Sequence, residues 1–148
     1  MVSINKEAPL LARAEIEIEA DQETVWKILA DVEAWPNWNP DVKLCLAHGE
    51  MEPGTQFQWK AGLGNITSVL QNVEPPHLLA WTGKMMGFNA IHVCEIDFLD
   101  GKTIVRTEES WEGLLSSDMH DRMQENLEML LQSCLKHLKA EVERLSLL

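Results

Sequence analysis

Basic residues are scarce in this chain of 148 residues. It has 12 Lys and Arg against 24 Asp and Glu, so its formal net charge is −12 at pH 7. A surface of this charge repels phosphate backbones and anionic lipid headgroups. The balance therefore argues against nucleic acid as a partner and against stable association with a membrane.

Long apolar runs are missing as well. No run approaches the roughly 18 apolar residues that a transmembrane helix needs, and residues 1–7 lack the apolar segment of a signal peptide. Only three cysteines are present, Cys45, Cys94 and Cys134, and none forms a Cys-x-x-Cys pair. An odd number of cysteines without a signal peptide predicts reduced thiols and a cytoplasmic protein.

The usual motifs of nucleophilic catalysis and metal binding are also absent. No Gly-x-Ser-x-Gly elbow occurs. His92 and Glu95 are three residues apart on a predicted strand, and an odd spacing places such side chains on opposite faces. We therefore expect no metal site and no cofactor.

The hydrophobic residues that are present, 45% of the chain, suffice for the core of one domain spanning residues 1–148. After a loose lead-in at residues 1–10, Ala12 to Ala20 alternates apolar and charged residues, which predicts a half-buried strand. Six more strand candidates follow between residues 42 and 111, and their hairpin-length connections predict an antiparallel sheet. From Asp118 to Arg144 apolar residues recur every three or four positions, which predicts one long helix with a core face that includes Leu130, Leu131, Leu135 and Leu138.

Two tryptophans mark the segment between the first strand and the rest of the sheet. A short helix is predicted from Asp21 to Ala30, and the sequence Ala34-Trp35-Pro36-Asn37-Trp38-Asn39-Pro40 follows it. Trp35 and Trp38 fall on one face of a single helical turn, which Pro36 can open. Two large rings on one turn need an apolar surface, so the turn is predicted to seal one end of a core or cavity.

Alternation along the last two predicted strands assigns their side chains to the two faces of the sheet. It places His92 on the inner face of one strand and Glu109 on the inner face of the next. The same alternation along the second predicted strand places Cys45 on the outer face. A two-residue loop at Asp100-Gly101 would set His92 directly opposite Glu109, with their Cβ atoms about 5 Å apart. A carboxylate in that position can fix the tautomer of the imidazole and raise its pKa.

The order of one strand, two short helices, six strands and one long helix resembles the helix-grip fold of the START-like (SRPBCC) superfamily. Its polyketide cyclase/dehydrase-like branch is matched by the segments Ile18-Glu19-Ala20-Asp21, Val25-Trp26, Trp35-Pro36-Asn37-Trp38-Asn39-Pro40, Leu79-Ala80-Trp81-Thr82-Gly83, Ala90-Ile91-His92-Val93 and Thr107-Glu108-Glu109-Ser110-Trp111-Glu112-Gly113. The resemblance covers about residues 11–145. It implies an α+β fold in which a curved, seven-stranded antiparallel sheet wraps around the C-terminal helix, with an apolar cavity between them.

The residues expected to line this cavity come from the inner strand faces, the tryptophan turn, one hairpin and the start of the long helix. The segment Met85-Met86-Gly87-Phe88 is predicted to form a loop of flexible and apolar side chains, suited to a mouth or lid. For any one tryptophan, packing in a closed core is the simpler alternative. The full set is Trp38, Phe57, Trp59, Trp81, Met85, Phe88, His92, Glu109, Trp111, Met119, Met123 and Leu127.

Three functions remain open at this point. The protein could bind a small hydrophobic molecule, lipid-like or polyketide-like, as a carrier or sensor. It could be a cyclase or dehydrase in which His92 and Glu109 act as acid and base. It could also be a protein-interaction module whose cavity has closed. For His92 and Glu109 themselves, the simpler interpretation is a satisfied polar pair that fixes the strand register. No pattern in the sequence indicates an oligomeric state.

Overall fold

The computed structural model describes residues 2–61 and 64–147. Seven strands form one antiparallel sheet in the order β1-β7-β6-β5-β4-β3-β2. The strands are β1 (Leu10–Ile18), β2 (Val42–Ala47), β3 (Gln56–Ala61), β4 (Gly64–Glu74), β5 (Leu78–Met85), β6 (Phe88–Leu99) and β7 (Lys102–Glu112). The helices are α1 (Gln22–Ala30), α2 (Trp35–Trp38) and α3 (Ser117–Ser146), and a short 3-10 turn, Val32–Ala34, joins α1 to α2. The predicted α+β helix-grip architecture is confirmed.

The long helix α3 begins at a side-chain cap and buries one face. The Ser116 hydroxyl accepts a hydrogen bond from the backbone N–H of Met119 at 3.2 Å, which satisfies one of the free donors of the first turn. The helix has 30 residues, so it is about 45 Å long. Its buried side chains recur at helical spacing and are Leu127, Leu131, Leu135, Leu138 and Val142. Among the described residues, no helix is both long enough and apolar enough to cross a membrane.

The tryptophan turn α2 closes the core at one end, as the sequence predicts. The Trp35 ring lies 5.7 Å from the Phe57 ring, 5.4 Å from the Trp59 ring and 5.4 Å from the Trp81 ring, measured between centroids. These separations are typical of packed aromatic pairs. The indole N–H of Trp35 also donates to the backbone carbonyl of Leu29 at 2.9 Å, which ties α2 to the end of α1.

A β-bulge reverses the predicted orientation of one strand. The pairing of β2 with β3 shifts register between Val42 and Leu44. Cys45 is therefore buried, whereas Leu44 and Leu46 are about half exposed. The prediction that Cys45 faces outward is wrong, because a bulge inserts one extra residue and moves every later side chain to the other face.

The predicted loop between Met85 and Phe88 is a tight turn. Met85 and Phe88 are register partners at the ends of β5 and β6, and only Met86 and Gly87 connect them. Both connecting residues have positive φ angles, 43° and 87°. Such a turn suits the twist of a hairpin and joins β5 to β6 with two residues.

The first residues cover the outer face of the sheet and are not a loose lead-in. Ile4 is buried in a small cluster with Leu78, Ala80 and Val93. The backbone N–H of Val2 donates to Asn72 Oδ1 at 2.9 Å. The N-terminal segment therefore shields part of the sheet that strand alternation alone assigns to solvent.

Replacing Ile4 with alanine tests how firmly this segment is held. We expect the free energy of unfolding to fall by about 1.5–3 kcal/mol, the usual effect of exposing a buried aliphatic side chain. Phe98→Ala is the control, because Phe98 is half exposed and should change stability by less than about 0.5 kcal/mol. Urea unfolding followed by circular dichroism measures both, and equal effects would show that the segment is not docked.

Candidate ligand-binding cavity

A cavity of about 80 Å³ lies between α3 and the inner face of the sheet. Its walls are almost entirely apolar. The lining residues are Leu29, Trp35, Asn39, Asp41, Val42, Trp59, Ala61, Ile66, Trp81, His92, Cys94, Thr107, Glu109, Trp111, Leu127, Leu130, Leu131, Cys134 and Leu135. Two grooves of about 530 Å³ each are larger, but both are surface hollows more open to water. The enclosed apolar cavity is therefore the better candidate for a ligand site.

Six of the twelve residues that the sequence places at a cavity line it: Trp59, Trp81, His92, Glu109, Trp111 and Leu127. The structure places the other six elsewhere. Phe57 and Met85 are buried within the core, and Trp38, Phe88 and Met123 are partly buried against it. Met119 is 43% exposed on the outer side of α3, where it borders a surface groove with Met123 and Met129.

Several lining residues were not predicted from the sequence. Thr107 and Cys94 share the inner strand faces with Glu109 and His92, so alternation contained the signal for them. Leu130 was predicted as anchored core, yet it is half buried and borders the cavity. Asn39 and Asp41 follow the tryptophan turn, and no periodicity in that irregular segment indicates where their side chains point.

His92 and Glu109 meet as the hairpin register predicts. They are direct cross-strand partners in β6 and β7, so the predicted pairing is confirmed. Nδ1 of His92 lies 3.7 Å from Oε2 of Glu109, and the two side chains are only 11% and 12% exposed. The other Glu109 oxygen accepts a hydrogen bond from the indole N–H of Trp111 at 2.8 Å. The imidazole also stacks on the Trp81 ring at a centroid distance of 4.3 Å.

The surroundings of His92 favour its charged form. Burial opposes the charge, but the Cys94 sulfur and the Glu109 carboxylate outweigh it and raise the pKa of His92. An imidazolium can donate from both nitrogens, and Nε2 lies 2.6 Å from the Thr107 hydroxyl oxygen. Thr107 in turn lies 3.5 Å from the Cys94 sulfur. The inner wall thus carries one ion pair whose members already have partners in the protein.

A second polar group lies where α2 leads into β2. Asn39 is 5% exposed, and its Oδ1 accepts a hydrogen bond from the backbone N–H of Asp41 at 3.0 Å. The Asp41 carboxylate accepts a hydrogen bond from the Ser133 hydroxyl of α3 at 2.8 Å. This contact joins the segment after α2 to the long helix at the edge of the cavity.

The cavity offers little for covalent or metal chemistry. Burial, together with the nearby Cys94, Glu109 and Asp41, raises the pKa of the Cys134 thiol to about 12, which disfavours the nucleophilic thiolate. Within residues 2–61 and 64–147, no cluster of three His, Cys, Asp or Glu side chains could hold a metal ion. The arrangement can surround an apolar molecule and present it with a few polar atoms.

Comparison with solved structures shows the same fold in several proteins. A hypothetical protein from Helicobacter pylori superimposes with a TM-score of 0.83 at 17% identity, over 96% of this chain and 97% of that chain. A START superfamily protein from Mycobacterium smegmatis superimposes with a TM-score of 0.75 at 19% identity, over 91% and 98% of the two chains. The Zhui aromatase/cyclase from a Streptomyces species gives a TM-score of 0.75 at 16% identity, over 90% and 93%.

Sequence comparison identifies the family. No curated protein sequence matches this chain. The model of the family described as polyketide cyclase / dehydrase and lipid transport matches residues 10–143, which is nearly the whole chain. The chain therefore belongs to that family.

Proposed function

We propose that this protein binds a small hydrophobic molecule, lipid-like or polyketide-like, between α3 and the sheet and acts as a carrier or sensor. The observation that carries the proposal is the enclosed cavity with apolar walls. Apolar enclosure supplies most of the binding free energy for such a ligand, and a few polar groups orient it. The family description, which includes lipid transport, agrees with this function.

Binding of a larger ligand requires the walls to move apart. Ligand sites for drug-sized molecules have volumes of about 300–1,000 Å³, whereas this cavity has about 80 Å³. Three of the lining residues, Trp59, Ala61 and Leu130, are only partly buried. They can therefore move outward without displacing the fully buried side chains of the core. Of the strands, β1 packs most extensively against α3, so we expect any outward movement of α3 on its side toward β2 and β3.

A cyclase or dehydrase-type enzyme is the second candidate. An ionisable pair, His92 and Glu109, lines the cavity and could move a proton on a bound polyketide-like substrate. The fold similarity to an aromatase/cyclase favours the same idea. Both groups are already hydrogen-bonded, His92 to Thr107 and Glu109 to Trp111, and this favours binding over proton transfer. Retention of ligand uptake with loss of turnover in Glu109→Gln would favour the enzyme.

Uptake of N-phenyl-1-naphthylamine, an uncharged fluorescent probe, tests the proposal. We expect the wild-type protein to increase the probe's emission, and we expect the probe to quench tryptophan emission, because Trp59, Trp81 and Trp111 line the cavity. Cys134→Phe should weaken binding by roughly tenfold or more, because the larger side chain fills the cavity. Gln132→Phe is the matched control, because Gln132 is exposed on the same helix. No uptake by the folded wild-type protein, or equal uptake by the filled variant, would contradict the proposal.

A further inference from the structure

We infer that the Asp41 carboxylate, at the edge of the cavity, recognises a hydroxyl group of the bound molecule by accepting a hydrogen bond from it. The inference rests on the proposed binding function and specifies the chemical class of the ligand, an apolar molecule that carries an alcohol or a phenol. It starts from the two oxygens of Asp41, which have different surroundings.

One oxygen of the Asp41 carboxylate is held by the long helix. Oδ2 accepts a hydrogen bond from the Ser133 hydroxyl at 2.8 Å. The backbone N–H of Asp41 donates to Asn39 Oδ1 at 3.0 Å, which fixes the backbone end of the residue. Contacts within the protein therefore position the carboxylate before a ligand arrives.

The other oxygen, Oδ1, is open. Among residues 2–61 and 64–147 it accepts no hydrogen bond, and Asp41 joins no ion pair. In the same residues, the buried side-chain nitrogen or oxygen atoms that lack a partner are limited to Nε1 of Trp38, so Asp41 Oδ1 is not sealed off. A small molecule can reach this oxygen and supply the donor that the protein does not.

The carboxylate itself, and not only the backbone of Asp41, lies beside the cavity. Asp41 lines the cavity, and its Oδ2 contacts Ser133, the residue before the lining residue Cys134. Burial raises the pKa of the Cys134 thiol, and the nearby Cys94, Glu109 and Asp41 raise it further. A carboxylate has this effect only over a short distance. The Asp41 charge is therefore close to a thiol on the cavity wall.

The charges around the cavity favour a hydroxyl group. The charge of Glu109 is offset by His92, whereas Asp41 has no cationic partner in the described part of the chain. This uncompensated charge repels a ligand carboxylate. An ammonium group would lose its hydration in a largely apolar site. A hydroxyl group has no charge to desolvate, and its hydrogen bond to a carboxylate is stronger than one to a neutral acceptor.

The apolar wall accounts for the remainder of the ligand. Trp35 lines the cavity with Asp41, and its ring lies 5.4 Å from the rings of Trp59 and Trp81, which also line it. A flat apolar body next to the hydroxyl group would therefore meet indole surfaces. A naphthalene ring with one hydroxyl group has both features.

Two probes of nearly the same shape test the hydrogen bond. 2-Naphthol carries a hydroxyl group where 2-methylnaphthalene carries a methyl group, and displacement of N-phenyl-1-naphthylamine by each gives two dissociation constants. Asp41→Asn keeps the shape and removes the charge. Asp41→Leu removes both oxygens, and the Ser133 hydroxyl can then bond to a backbone carbonyl of its own helix. Asp31→Asn is the matched control, because Asp31 is exposed and its side chain caps no helix.

In both Asp41 variants, the preference for 2-naphthol over 2-methylnaphthalene should fall by roughly 5- to 20-fold relative to wild type, as expected for one hydrogen bond to a partly exposed carboxylate. The control should keep the wild-type preference, and 2-naphthoate should bind wild type more weakly than 2-naphthol. An unchanged preference in folded Asp41 variants, or tighter binding of 2-naphthoate, would overturn the inference while leaving the proposed function intact. Binding of neither N-phenyl-1-naphthylamine nor the two naphthalenes to folded wild type would overturn both.

A measurement on the wild-type protein keeps the test decisive if the Asp41 variants do not fold. In ¹³C NMR spectra, the side-chain carboxyl resonance of Asp41 should move when 2-naphthol is added and move much less with 2-methylnaphthalene. Equal shifts with the two probes, or no shift with either while both bind, would show that Asp41 does not bind the hydroxyl group.

Discussion

Leu138→Ala is expected to lower the free energy of unfolding by about 2–5 kcal/mol, the range found for large-to-small changes in a close-packed core. Leu138 has no exposed surface and belongs to the main core cluster, beside residues of β1, β6 and β7. Removing its isobutyl group leaves a hole that the surrounding sheet and helix cannot fully close. Chemical denaturation with urea measures the loss as a shift of the unfolding midpoint at unchanged slope.

Two other positions on α3 provide the comparison. Leu130 is half buried beside the cavity, so Leu130→Ala should cost clearly less than Leu138→Ala. Met129 is 66% exposed, so Met129→Ala should change stability by less than about 0.5 kcal/mol. If Leu130→Ala proved as costly as Leu138→Ala, the cavity beside Leu130 would have to be closed in solution.

Breaking the His92–Glu109 pair on one side only is expected to cost about 3 kcal/mol or more, because it leaves a buried charge without its partner. His92→Phe keeps a ring to stack on Trp81 but takes away the charged partner of Glu109, which keeps its hydrogen bond from the Trp111 N–H. Glu109→Gln keeps an acceptor for Trp111 but removes the charge that favours the imidazolium. The double variant should recover part of the loss, which gives a coupling of about 0.5–3 kcal/mol.

The sign of the pH dependence follows from the raised pKa of His92. The folded protein holds this proton more tightly than the unfolded chain, in which the histidine pKa is about 6.5. The stabilisation is therefore fully present below about pH 6.5 and is lost as the pH rises through the pKa of the folded state. In Glu109→Gln that loss should occur at lower pH, because one of the influences that raise the pKa has gone.

Urea unfolding at several pH values and NMR titration of the His92 ring nitrogens measure these effects. Phe98→Ala, on the exposed end of the same strand, controls for general changes in β6. Additive stabilities in the double-mutant cycle, or an imidazole that loses its proton below pH 6.5, would show that the pair does not interact as the geometry indicates. Loss of probe uptake in a stable double variant would place the pair in the binding site as well.

The parts of the fold that the sequence predicted are those governed by local chemistry. Asp100 and Gly101 adopt positive φ angles of 52° and 80° in a two-residue turn between β6 and β7. Counting residue pairs back from this turn sets His92 opposite Glu109. The buried face of α3 could be predicted because apolar residues recur every three or four positions over many helical turns. The aromatic contacts of Trp35 follow from the need to cover a large ring.

The parts that could not be predicted depend on tertiary geometry. Nothing in the sequence around Cys45 marks the bulge that turns it inward, and Met86 in a hairpin turn defies the usual preference for Asn or Gly. The distance between α3 and the sheet sets which lining candidates reach the cavity, and that distance is a property of the whole packing. Thus Phe57 is inward as predicted, yet it lies in the closed core.

With Cys45 turned inward, the three thiols lie in three different regions of the fold: Cys45 in β2, Cys94 in β6 and Cys134 in α3. Burial raises the pKa of the Cys45 thiol to about 12, with a further contribution from Glu33, and that of Cys134 is similarly high. Alkylating reagents should therefore react slowly with the native protein at neutral pH. The rate at which each thiol is modified would report how often its own region opens. The three cysteines can therefore serve as probes of local unfolding.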